Sequence, residues 1–292
     1  MTAHEAIVAF LDFMRSEGVE PANVGEFTGR ITSGEVIRFD CVGERKGRKN
    51  GWAKLYLDSR PAGAFGNWKL GISRRWSSGT TNELTADERR ALQAEWQEQK
   101  RQREELRREA HEVAQQDALG IWQSSPLASA VHPYLRAKKI AATGLRQHGD
   151  TLLVPMFDDE GRLWNLQRIK PDGEKRFLFG GRIDGLFCII GSFAEACEAA
   201  IGEGYATMAS IHRAAAIPCI VAFNTSNLPK VARLWADLRP DLSFIIAADD
   251  DEATAAKGVE EGRAYKNPGM EVAEAVATEI GARVAYPPRR AA

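Results

Sequence analysis

The chain has 292 residues, of which 44% are hydrophobic and 27% charged, with a net charge of −1. These values are ordinary for a soluble globular protein of about two domains. No stretch approaches the ~18 consecutive apolar residues of a membrane span, and the N-terminal MTAHEAIVAF lacks the basic and apolar regions of a signal peptide.

The small net charge hides a gradient. Residues 30–75 carry 11 Lys/Arg against 4 Asp/Glu, and residues 136–183 carry 10 against 6. Residues 195–292 reverse the balance, with 10 against 14. A basic front and middle with an acidic end suits a chain that holds a polyanion and also binds cations. Cys41, Cys188, Cys197 and Cys219 are scattered, with no C-x-x-C pair. Four reduced thiols in a cytoplasmic protein are expected, without a zinc site.

Residues 3–17 predict an amphipathic helix, with Ile7, Phe10, Leu11 and Met14 on one stripe. Residues 30–76 change character. EVIRFDCV and GWAKLYLD alternate apolar and polar residues between the glycine-rich turns ERKGRKNG and RPAGAFGNW. A small antiparallel β unit holding Trp52, Trp68 and Trp76 is expected there. Residues 85–118 predict a long polar helix, opened by a Thr85–Glu88 capping box and carrying sparse Leu92, Trp96, Leu106 and Val113. Such a helix crosses solvent or packs by one narrow stripe; it reads as a spacer.

TLLVPMFD, GRLWNLQRIK and KRFLFGG then predict short strands joined by the turns DDEG and PDGE. From about residue 194 the pattern becomes α/β. EAAIGEG, IPCIVAFN, LSFIIAADDD and ARVAYP read as strands, alternating with the helices ATMASIHRAAA, LPKVARLWADL and MEVAEAVATEIG. That alternation argues for a parallel sheet. The expected division is a small basic α+β domain (1–80), a charged helical linker (81–130), a basic β-rich subdomain (131–193) and an α/β domain (194–292).

Two acidic features fall where α/β folds place ligands, at the carboxyl ends of strands. Glu203 follows the strand EAAIG, and Asp249, Asp250 and Asp251 follow LSFIIA. Adjacent carboxylates repel one another, and a hard divalent cation relieves that repulsion. An Asp run after a strand is equally often a solvated turn or a helix cap; the pairing of two such acidic strand ends favours a site.

Glu203-Gly204 after one strand and Asp249-x-Asp251 after a later one resemble the Toprim domain of bacterial primases, topoisomerases and some nucleases. EGYATMASIH, VAFNTSNL, AADDD and NPG (267–269) together resemble its version in primases of plasmids, integrative elements and prophages, over about residues 132–290. The resemblance implies a mostly parallel sheet flanked by helices. It also implies catalytic and metal-binding roles for Glu203, Asp249 and Asp251, with Mg²⁺ or Mn²⁺ as cofactor.

LLVPMFDDEGRLWNLQRIKPDGEKRFLFGG resembles the basic subdomain that precedes Toprim in such primases. Arg168, Lys170, Lys175, Arg176 and Arg182 are then the candidates for holding template and nucleotide. The implied activity is DNA primase: RNA primers made from NTPs on single-stranded DNA, with a replicative helicase as a possible partner and no membrane. A Toprim nuclease and a non-catalytic single-strand-binding protein of a mobile element are the alternatives. The chain departs from the cellular bacterial primase in showing no zinc ribbon and no helicase domain. Its first 78 residues, with Trp52 and Trp68 as template-binding candidates, are expected to replace the ribbon; the tryptophans fit a small domain's core equally well. No Walker-type G-x-x-x-x-G-K-[ST] is present, and His132, His148 and His212 lack metal-ligand spacing and read as structural or exposed.

Overall fold

The computed structural model describes residues 1–31, 34–58, 60–79, 86–248 and 268–286. They form two compact units, Met1–Glu95 and Trp96–Ala292.

In the first unit, α1 (Ala3–Ser16) starts with a capping box that the sequence reading missed. Thr2 Oγ1 accepts the Glu5 N–H and Glu5 Oε2 accepts the Thr2 N–H, satisfying two donors that a helix start leaves over. Its stripe buries Ala6, Phe10, Leu11 and Met14. The short α2 (Val24–Arg30) is capped by Asn23. An antiparallel sheet follows in the order β1 (Val36–Phe39), β2 (Gly51–Tyr56), β3 (Ala62–Asn67) and β4 (Ile72–Ser77). The alternation in β2 buries Gly51, Ala53 and Leu55 on one face, as strand geometry requires. That face packs on the helices around Phe10, Phe27, Phe39 and Phe65.

The 39-residue α3 (Ala86–Ser124) begins in the last residues of the first unit and continues into the second. It runs six residues beyond the expected end, and Thr85 of the expected capping box lies outside the described residues. Trp96, Leu106 and Val113, the apolar residues that stood out in the sequence, are exposed. Alanines do the packing instead: Ala114 and Ala118 are buried, with Ala118 against Leu153, Leu163 and Leu166. Small side chains four residues apart share a helix face and allow close approach to a sheet. α4 (Pro133–Lys138) begins at His132, whose Nδ1 accepts the Tyr134 N–H and whose Nε2 lies 2.8 Å from Asp150 O.

An antiparallel meander follows: β5 (Arg146–His148), β6 (Thr151–Phe157), β7 (Leu163–Ile169) and β8 (Lys175–Phe177). A second sheet comprises β9 (Cys188–Ile190), β10 (Glu198–Gly202), β11 (Cys219–Val221), β12 (Ser243–Ala247) and β13 (Arg283–Ala285). Their order across the sheet is β13-β12-β10-β11-β9. All neighbours are parallel except β9, which runs antiparallel to β11. The connecting helices are α5 (Tyr205–Ala215), α6 (Leu228–Leu238) and α7 (Pro268–Ile280).

Alternate residues of β10 serve two cores. Ala200 joins Val154, Met156, Tyr205 and Met208, so α5 and the meander share one core. Ile201 joins Val231, Trp235, Ile246 and Val276 beneath α6 and α7. Burial on both faces explains the near-continuous apolar reading of these strands. Each fully buried Ile or Leu contributes about 1.5–3 kcal/mol.

Candidate active site

Register sets the site. Gly202 pairs with Val221 on one side and with Ala247 on the other, so three strands end level. Glu203 is the next residue of β10 and stands half-buried at that edge. Its Oε2 accepts the Thr225 hydroxyl at 2.9 Å, and its carbonyl accepts the Phe223 N–H at 2.9 Å. α5 starts two residues later with no side-chain cap, and the partial positive charge of a helix start favours a carboxylate beside it.

The glycine that matters sterically is Gly202 rather than Gly204. A Cβ at Gly202 would lie 2.5 Å from Met208 Sδ, whereas one at Gly204 would meet only Thr207 Oγ1 at 3.5 Å.

The loop that supplies Thr225 is fixed by a residue the sequence reading did not single out. Asn227 is fully buried. Its Nδ2 donates to Leu186 O and Ala222 O, both at 2.9 Å, and its Oδ1 accepts the Gly185 N–H at 2.7 Å. Asn224 Oδ1 in turn accepts the Asn227 N–H and the Ser226 hydroxyl. Phe223, between these anchors, holds a left-handed backbone at φ 72°, a conformation that costs an ordinary side chain about 1–2 kcal/mol. In the sequence, Asn227 fell within VAFNTSNL, one of the runs that carried the Toprim resemblance, without being picked out of it.

On β12, Ala248 is buried and donates its N–H to Ala285 O. Asp249, Asp250 and Asp251 come next and lie outside the described residues. Among the described residues no group of three or more His, Cys, Asp or Glu gathers as a metal site. The donor that is described fits a hard divalent cation: Glu203 offers carboxylate oxygen at the end of β10.

The basic candidates sit on the meander. Arg168 and Arg176 are direct cross-strand partners on β7 and β8. Like charges opposite one another are unfavourable, an arrangement suited to a polyanion. Glu174 offsets part of it, pairing with Lys170 at 2.6 Å and Arg176 at 2.5 Å; these contacts hold its carboxyl below the usual range. Lys175 is exposed. Arg182 donates to Asp184 O and lies 5.3 Å over the Trp164 ring.

Phe177 of β8 meets Phe223 edge-on at 6.2 Å, which ties the basic hairpin to the loop beside Glu203. A cavity of about 360 Å³ adjoins the hairpin, where Gly181, Arg182 and Asp184 face Arg107, Arg108 and His111 of α3. Burial, then Arg107 and Arg182, lower the His111 pKa. The sequence reading had no means of assigning that helix to this place. Trp52 and Trp68 belong to the first unit, with rings 5.8 Å apart.

Residues 198–289 match the family model described as Toprim domain. Over 285 residues, 95% of its length, the chain is 31% identical to a DNA primase TraC of Escherichia coli and 33% identical to a second DNA primase TraC of Escherichia coli. It spans only 26% and 19% of those curated relatives. A chain in the structure of bacteriophage T7 lagging-strand DNA polymerase interacting with primase domains of two gp4 subunits is 14% identical, with a TM-score of 0.38 over 54% of this chain and 81% of that one. A likeness that distant says nothing about the site. Residues 198–289 are thus similar to Toprim domains, and nearly the whole chain is similar to a portion of DNA primases TraC.

Proposed function

We propose that the chain is the primase portion of a nucleotidyltransferase that joins ribonucleotides on a single-stranded DNA template. The observation that carries this reading is the 31–33% identity to DNA primases TraC across 95% of the chain. Glu203 at a parallel strand end, within the segment matching Toprim, supports it.

Glu203, Asp249 and Asp251 would hold Mg²⁺ or Mn²⁺, for which carboxylate oxygens are suitable donors. Such an ion, when bound, lowers the pKa of an attacking hydroxyl and neutralises charge on a triphosphate. Thr225 fixes the rotamer of Glu203 by donating to Oε2. Arg168, Lys175 and Arg182 would position the triphosphate and template backbone, with Lys170 and Arg176 partly neutralised by Glu174. Trp52 and Trp68 would meet template bases.

Primer synthesis from labelled NTPs on single-stranded DNA tests the reading, with and without Mg²⁺ or Mn²⁺, in the wild type, Glu203→Gln and Asp249→Ala. Metal-dependent oligomers that vanish in both variants are expected. Undiminished synthesis in the variants would overturn the site. Template degradation without synthesis in the wild type would replace primase with nuclease.

A further inference from the structure

The sheet of the first unit has two faces, and α1 and α2 cover only one. α1 and α2 pack on the face bearing Ile37, Phe39, Leu55, Phe65 and Trp76. On the opposite face the strand register places Arg38, Trp52, Gly66 and Ser73 in one row. Val36, Lys54, Ala64 and Arg75 form the next, and Tyr56, Ala62 and Ser77 a third.

The chemistry of these rows is selective. β3 contributes only Ala62, Ala64 and Gly66, so no large side chain divides the face. The four strands carry Arg38, Lys54, Arg74 and Arg75 and no acidic residue. Arg74 lies on the helix side, paired with Glu17 at 2.7 Å; the other three basic residues are on the open face. Lys54 Nζ lies 5.1 Å over the Tyr56 ring.

Trp68 extends this face. It is 62% exposed, and its ring is tilted 34° to Trp52. The turn that carries it is built rather than loose. Asn67 is buried, its Oδ1 accepts the Lys69 and Leu70 N–H groups, and its Nδ2 donates to Glu44. The Trp68 N–H donates to Asn50 O. A Cβ at Gly66 would come within 2.7 Å of Trp52 Nε1, so glycine there makes room for the indole. The neighbouring basic loop is wound around Asp40, whose carboxylate accepts the Gly47 and Lys49 N–H groups at 2.8 and 2.7 Å. That winding displays Arg45, Lys46, Arg48 and Lys49 in solvent.

We propose that this face is a platform for single-stranded nucleic acid. Bases stack on Trp68, Trp52 and Tyr56, and backbone phosphates meet Arg38, Lys54 and Arg75. It rests on the reading of the chain as one that works on single-stranded DNA, and it adds a binding surface in a different unit from Glu203. Stacking on aromatic rings is tolerant of sequence and discriminates against duplex, whose bases are already stacked. A four-stranded sheet presenting aromatics is a general solution to this task.

The test uses the full chain without NTPs or added metal, in fluorescence anisotropy with short oligothymidine, oligouridine and duplex DNA. Trp68→Ala should weaken single-strand binding roughly 5- to 100-fold, with Trp68→Phe restoring most of it. Lys54→Ala with Arg75→Ala should lower the salt slope by about 1.4, at ~0.7 per phosphate contact on a single strand. A photoactivatable thymidine analogue should cross-link within residues 34–79. Tighter binding of oligothymidine assigns the platform to template, and tighter binding of oligouridine to the primer strand. Unchanged affinity in both variants, equal affinity for duplex, or cross-links wholly outside residues 34–79 would overturn the proposal. Primer synthesis in the same preparations separates the two readings: its failure in wild type removes the primase and leaves the platform, whereas unchanged binding in the variants removes the platform alone.

Discussion

Asn227→Ala should disable the edge of the parallel sheet where Glu203 stands. The side chain makes three hydrogen bonds to backbone: to Leu186 O, to Ala222 O and from the Gly185 N–H. Alanine deletes all three. Ala222 O keeps the Asn224 N–H at 3.0 Å, so that loss is of an ordinary bond, about 1 kcal/mol. Gly185 N–H and Leu186 O lose the partner this side chain supplied, at about 1–3 kcal/mol each.

The sum is roughly 3–7 kcal/mol. For a unit near 200 residues each kcal/mol shifts Tm by about 2–4 °C, so calorimetry of the full chain should show the second unit's transition lowered by on the order of 10 °C. Hydrogen exchange should accelerate in peptides spanning residues 219–238, because the same side chain anchors the end of β11 and the start of α6. Asn227→Asp, which keeps an acceptor for Gly185 but loses both donors, should also be destabilised. A transition within about 2 °C of wild type, with exchange unchanged, would refute the clamp.

Three further outcomes are expected. Burial alone would raise the Asp158 carboxyl, but the Trp164 indole, the Arg162 N–H and the Arg162 guanidinium outweigh it and hold the pKa below the usual range. The unfolded chain therefore binds the proton first on acidification, so this group's stabilisation is present above about pH 4 and is lost as pH falls through the folded value. Urea midpoints should fall more steeply on acidification in wild type than in Asp158→Asn; parallel curves would refute the coupling. Gly181→Ala should destabilise by about 1–3 kcal/mol, because its Cβ would run into Asn165 Nδ2, which donates to Arg182 O; a denaturation midpoint equal to wild type would contradict this. Cys197 is exposed while Cys41, Cys188 and Cys219 are buried, and burial pushes those three thiols up to about 11, 12 and 12. A thiol reagent at neutral pH should label one cysteine in the native chain and four after unfolding, and rapid native labelling of a second would count against the packing.

The sequence by itself determined the elements whose pattern is local. LPKVARLWADL is α6 residue for residue, because its apolar positions recur at helical spacing. The strand runs TLLVPMFD and GRLWNLQRIK became β6 and β7, and EAAIG became β10 with Glu203 directly after its end. A strand-end carboxylate is visible in a sequence because position along an element is a local property.

Only the tertiary structure decided what faces what. It divided the tryptophans, sending Trp76 against Phe10 at 5.4 Å while Trp52 and Trp68 took the other face. It packed α3 through Ala114 and Ala118 in place of its larger apolar residues. It also made Asn227 a buried clamp by bringing Gly185, 42 residues away, to its side chain. A buried polar residue is explained by its partner, and a partner distant in sequence leaves no trace in local periodicity. Hydrophobic spacing records which side of an element avoids water; it does not record which neighbour covers that side.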